Sequence, residues 1–161
     1  GNDIFKFGSV EFKIIMAPGH TSGHICFYSE KEKIIFTGDT LFSLGCGRLF
    51  EGTHHEMLNS LNVIKELPKY TNIYCGHEYT KNNLDFCLKY EPDNIFLKEK
   101  KNWLISRLSR KQPSIPVTIE TELNTNIFFR CKTTGVKKSL GMLNSTELEI
   151  FKKLRDLKDS F

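Results

Sequence analysis

The stretch "HICFYSEKEKIIFTGDTLF" (24–42) does most to limit the fold. It holds two apolar runs of strand length around a charged turn at Ser29–Lys33, and the second run ends in Gly38 and Asp39. Runs of this kind predict paired strands. "IFKFGSVEFKIIMAP" has the same form, with Phe5, Phe7, Val10, Phe12 and Ile14 on two short strands joined at Gly8 and Ser9. The run 34–37 is nearly all apolar, which predicts a strand covered on both faces. Thr53 and Glu56 then make a T-x-x-E capping box, and Met57, Leu58, Leu61, Ile64 and Leu67 recur at helical spacing until Pro68 stops the pattern. "TNIYCGHEYT" predicts a further short strand. Residues 80–90 predict a helix closed before Pro92, and 94–110 another that carries the only tryptophan, Trp103. Strands and helices in alternation, then helices, predict an α/β chain. The segment "KQPSIPVTIETELNTNIFFR" has two prolines and little periodicity, so it is expected to wrap the surface as an ordered arm. A last helix over 145–158 opens at Ser145 or Thr146 as N-cap.

A chain of 161 residues can bury a core without staples. No apolar run approaches the roughly 18 residues of a membrane span and no signal-peptide pattern opens the sequence. These features predict no membrane partner and a cytoplasmic protein, with an organellar address left open. The formal charge of +4, from 23 Lys and Arg against 19 Asp and Glu, is too small to argue for nucleic acid. The lysines are scattered and no aromatic platform accompanies them. Five cysteines, odd in number and without a C-x-x-C pair, argue against a disulfide framework or a thiolate zinc site and for a reducing compartment.

Three polar residues stand at the ends of three predicted strands or in the loops beside them: His20 in "PGHT", Asp39 in "TGDT" and His77 in "CGHE". Loops at one sheet edge bring distant side chains together, and each of these residues has a neighbouring glycine that permits a sharp turn. Two imidazoles and a carboxylate form a nitrogen and oxygen donor set suited to Zn²⁺, Fe²⁺ or Mn²⁺. Taken singly, each has an ordinary alternative: a histidine hydrogen-bonded for structure, or an Asp forming a turn with its own backbone. His54 and His55 are adjacent in the first turn of a capped helix, point about 100° apart and cannot jointly clasp one ion. "GHEYT" fails as an H-E-x-x-H motif because Lys81 holds the fifth position.

The wordings "GHTSGH", "FTGDTLF", "GCGRLFEGT" and "YCGHEYT", in this order, resemble glyoxalase II (hydroxyacylglutathione hydrolase) of the metallo-β-lactamase superfamily. The resemblance runs over nearly the whole chain. It implies the C-terminal half of an αββα sandwich over 1–92, followed by a helical glutathione-binding region over 93–161. It implies two divalent ions in the intact protein, zinc first and iron or manganese as alternatives. His20 would hold one ion and His77 the other, with Asp39 bridging them as the catalytic carboxylate. His24 is left as a structural residue. Arg48, Phe50, Tyr79, Arg155 and Lys158 match positions that hold the glutathione moiety. Phe50 stands where the family often has tyrosine, and "NIFFR" has Ile127 in place of a proline, with a structural role expected for that segment.

The family's T-H-x-H-x-D-H motif is absent from these 161 residues. The resemblance therefore implies a C-terminal fragment, nearly inactive alone, holding one ion or none and self-associating through an uncovered sheet. The intact protein is expected to hydrolyse S-D-lactoylglutathione to D-lactate and glutathione, a step of methylglyoxal detoxification. Two alternatives stand beside this: a glutathione persulfide dioxygenase with a single Fe²⁺, and a non-catalytic glutathione-binding domain.

Overall fold

A computed structural model describes residues 3–161. Strands β1 (Ile4–Phe7), β2 (Val10–Met16), β3 (Ile25–Ser29) and β4 (Ile34–Gly38) form an antiparallel meander. A small hairpin follows, β5 (Leu41–Phe42) with β6 (Gly45–Cys46). Helix α1 (His54–Lys65) crosses over to β7 (Asn72–Cys75), which lies parallel to β4. After α2 (Thr80–Tyr90) and α3 (Ile95–Ser109), the two-residue β8 (Val117–Thr118) pairs antiparallel with β7. Helices α4 (Ile119–Thr125), α5 (Thr134–Ser139) and α6 (Glu147–Asp159) complete the chain. The main sheet has the order β1-β2-β3-β4-β7-β8.

The pleat sorts this sheet into two unlike faces. On one, Cys26, Tyr28, Ile35 and Ile73 are buried and join a single apolar cluster with Met57, Leu61 and Ile64 of α1 and Ile150, Phe151 and Leu154 of α6. On the other, Phe5, Phe12, Phe27, Phe36 and Tyr74 form a row of ring contacts across five strands, with centroids 5.5–6.4 Å apart. Phe36 is 42% exposed there. The expectation that 34–37 is covered on both faces is thus corrected. Among the described residues the helices cover one face, and the apolar residues of the other cover one another only in part.

The segment 111–130 also departs from expectation. It is not a surface arm: Ile127, Phe128 and Phe129 are buried, and Phe128 packs on Phe86 and Phe151. Polar side chains make this burial feasible by satisfying the backbone. Asn126 accepts from the Phe128 N–H and donates to the Gly45 carbonyl and to Glu122. Arg130 grips Glu91 through two bonds of 2.9 and 2.8 Å. The structural role expected of "NIFFR" is what these contacts describe. Helix α4 is seven residues long, too short for periodicity to disclose. Thr146, with Glu149 closing a capping box, starts α6 at Glu147, two residues inside the expected boundary, and α1 ends at Lys65, before Leu67. The five cysteines are free, and burial pushes the Cys26 and Cys87 thiols up to about 12. No described helix is long and apolar enough to cross a membrane.

Glu122 ties the late helices to the small hairpin. Its Oε2 accepts from the Leu44 N–H and from Asn126, both at 2.8 Å, while its Oε1 has no partner among the described residues. Burial raises its pKa to about 7 against the opposing pull of those hydrogen bonds. The folded chain therefore holds this proton between about pH 4.5 and 7, where the unfolded chain has lost it. Stability falls as pH rises through that window, and the penalty is complete above it. Glu122→Gln is expected to unfold at higher urea than the parent at pH 8, by on the order of 1 kcal/mol, with the difference vanishing near pH 5. An equal difference at both values would contradict the assignment.

Candidate functional site

Asp39 follows directly on β4, where the pairing with β7 slips between Phe36 and Gly38. That irregularity sets Gly38 beside Cys75 and brings Asp39 against the loop that begins at Gly76. Irregular pairing of this kind re-aims a side chain at a sheet rim. A side chain at Gly76 would lie 2.5 Å from Asp39 Oδ1, and one at Gly47 would collide with the Asp39 carbonyl while standing 3.2 Å from His20 Nδ1. Only glycine lets both loops close on the carboxylate.

The two oxygens of Asp39 face two different imidazoles. His20 Nε2 lies 3.6 Å from Oδ2 and His77 Nε2 lies 3.6 Å from Oδ1. His20 Nδ1 donates to the Arg48 carbonyl at 2.8 Å. In the neutral ring this leaves Nε2 as a lone pair turned toward a carboxylate oxygen, beyond hydrogen-bond length. Two electron-rich atoms so placed suit a cation between them. Donors about 2.0–2.2 Å from one ion at an open tetrahedral angle stand roughly 3.3–3.6 Å apart, which the observed spacing matches. The residues therefore fit divalent metal. They form two nitrogen–oxygen pairs sharing one carboxylate. Among the described residues no three His, Cys, Asp or Glu side chains surround a single point.

His24 points elsewhere, with Nε2 donating to the Thr37 carbonyl at 3.2 Å. His54 faces Asp156 at 3.5 Å, while His55 meets Asn59. They do not converge.

His20 and Asp39 open onto a cavity of about 620 Å³ that also reaches Arg48, Phe50, His77, Tyr79, Arg155 and Lys158. All eight residues singled out in the sequence thus share one wall system. Phe50, 71% exposed, leans on the His20 ring at 4.9 Å. Tyr79 stacks on His77 at 5.1 Å and 19°. Arg48 is mostly exposed, 3.9 Å from Asp159. Lys158 is held by Asn82 and lies over the rings of Phe86 and Phe161. Burial, with Arg155 alongside, pulls its ammonium down to about 8.

Arg155 differs from its neighbour. It is 3% exposed; Nη1 donates to the Cys46 carbonyl and Nη2 to Asp159, both at 2.9 Å. It lies a turn before the end of α6 and bolts that helix to the β5–β6 hairpin. Asn82, Asn83, Phe42 and Phe161 also line the cavity and were not singled out. The signal for Asn83 is an amide on the apolar phase of a helix, where its Nδ2 donates to the Ser43 carbonyl.

Comparison with known proteins agrees in kind. The model of the hydroxyacylglutathione hydrolase C-terminus matches residues 78–161, and that of the metallo-β-lactamase superfamily matches 1–77. A hydroxyacylglutathione hydrolase from Pelagibacter ubique is 50% identical over 159 residues, 99% of this chain and 61% of the relative. One from Brucella ovis is 44% identical over 161 residues, 100% of this chain and 63% of the relative. The chain thus spans about three fifths of the length of these curated relatives. The crystal structure of the BLEG-1 B3 metallo-β-lactamase superposes with a TM-score of 0.54 at 26% identity, covering 80% of this chain and 46% of that one. That of ETHE1 from Myxococcus xanthus gives 0.56 at 21% identity, over 96% and 56%, which speaks for the fold alone. The chain belongs to the hydroxyacylglutathione hydrolase family of the metallo-β-lactamase superfamily.

Proposed function

We propose that the chain forms the substrate-facing part of a metal-dependent thioesterase site that cleaves a hydroxyacylglutathione such as S-D-lactoylglutathione. The observation that carries this reading is Asp39, with one imidazole Nε2 on each carboxylate oxygen, at one end of a cavity whose other end is cationic. His20, Asp39 and His77 would hold divalent cations, zinc in the first place, with further ligands supplied by a T-H-x-H-x-D-H segment. Such ions lower the pKa of bound water and polarise an acyl carbonyl.

The chain's own residues do the remaining work. The Arg48 carbonyl, taking the His20 Nδ1 proton, keeps Nε2 free for a ligand and couples the metal end to the loop that presents the Arg48 side chain. Glutathione carries two carboxylates and one ammonium, so its thioester is a net anion. Lys158 and Arg48 draw it into the cavity. Tyr79 and Phe50 flank the metal end, their rings set against the His77 and His20 imidazoles. Arg155 acts by holding α6, and with it Lys158, against Cys46.

The two C-terminal cations therefore separate by experiment. Arg155→Ala orphans the Cys46 carbonyl and is expected to cost about 2–4 kcal/mol in urea unfolding. Lys158→Ala is expected to cost less than about 1 kcal/mol yet weaken S-methylglutathione binding about tenfold by calorimetry. The reverse ranking would refute the division. Joined to a segment bearing T-H-x-H-x-D-H, the protein is expected to release thiol from S-D-lactoylglutathione. Asp39→Asn there should lower kcat by about 100-fold or more. Near-parental turnover in that variant would remove Asp39 from the mechanism.

A further inference from the structure

A second cavity, of about 660 Å³, lies between α3 and the β8–α4 segment and shares no lining residue with the first. Its centre is Lys100. This lysine is 8% exposed, yet among the described residues its ammonium makes no hydrogen bond and no ion pair. It rests on the face of Trp103, 3.8 Å from the ring centroid. Burial pulls the Lys100 pKa down; the Glu122 charge opposes that, but its carboxylate spends Oε2 on Leu44 and Asn126 and does not reach ion-pair distance. The stem of Lys100 is buried while its unpaired ammonium opens into the groove, where an anion can meet it.

The rest of the lining narrows the choice. The hydroxyls of Thr118 and Thr121 bond each other, Thr125 donates to the Thr121 carbonyl, and the Asn124 amide donates to the Glu120 carbonyl. Lys100 Nζ and the Trp103 indole N–H are left without a protein acceptor. Phe96, 44% exposed, and Trp103, 37% exposed, supply apolar surface. Glu99 and Glu120 line the same groove. Two carboxylates beside one ammonium weaken the hold on any anion and oppose a phosphate dianion or a nucleotide most, so a single negative charge held directly on the ammonium is the most the groove can take. We propose that this groove binds a small monocarboxylic acid with an apolar body, its carboxylate on the Lys100 ammonium and its body against Phe96 and Trp103. The site stands apart from the thioesterase reading and does not depend on it.

Trp103 is the chain's only tryptophan, so indole fluorescence reports on this groove directly. Titration with 3-phenylpropionate is expected to give a saturable change that excess inorganic phosphate at matched ionic strength does not reverse. Lys100→Met, with its circular dichroism and melting checked, should weaken the acid about tenfold or more. The double variant Glu99→Gln, Glu120→Gln should tighten it, and this arm decides the matter if Lys100→Met does not fold. No saturable change, unaltered affinity in either variant, or displacement by phosphate would overturn the proposal.

Discussion

The carboxylate of Asp39, divided between two imidazoles at equal distance, is the constraint on which the rest of the structure turns. Each oxygen faces one imidazole Nε2 at 3.6 Å, and each loop must come close without a side chain in the way. The slipped pairing at the end of β4, the bare backbone at Gly47 and Gly76, and the carbonyl that fixes the His20 tautomer all serve that one arrangement. The apolar cluster beneath, from Ile35 and Ile73 to Met57 and Leu61, holds β4 and β7 side by side so that their ends cannot drift apart.

The far end of the cavity is built by different means. Helix α6 comes from the end of the chain, and its only firm polar tie to the hairpin beside the metal residues is the buried Arg155. Glu122 and Asn126 hold that hairpin from the opposite side. The buried Arg155 and the cavity-lining Lys158 are thus neighbours on one helix in unlike surroundings, and their spacing makes them easy to mistake for a matched pair.

How much of this was legible in the sequence depended on the length scale of the signal. Strands around Gly8 and the 29–33 turn, the Thr53–Glu56 cap and the break at Pro68 are local features, and local chemistry decides them. His20, Asp39 and His77 could be placed at strand ends, and the resemblance implied one imidazole for each of two positions, but the β4–β7 slip that aims Asp39 between them is announced by no residue pattern. The 111–130 segment was misread because its burial rests on partners far along the chain, Gly45 and Glu91 among them. The tie that buries Arg155 was illegible for the same reason: its acceptor is 109 residues away. The open aromatic face of the sheet was hidden by strands equally apolar on both sides.

The most direct measurement is anomalous diffraction at the zinc edge, from zinc-loaded crystals of this chain joined to a T-H-x-H-x-D-H segment. Two peaks are expected, one bonded to His20 Nε2 and Asp39 Oδ2, the other to His77 Nε2 and Asp39 Oδ1. One ion touching both histidines, or two ions neither of which meets Asp39, would contradict the shared carboxylate and the chemistry built on it.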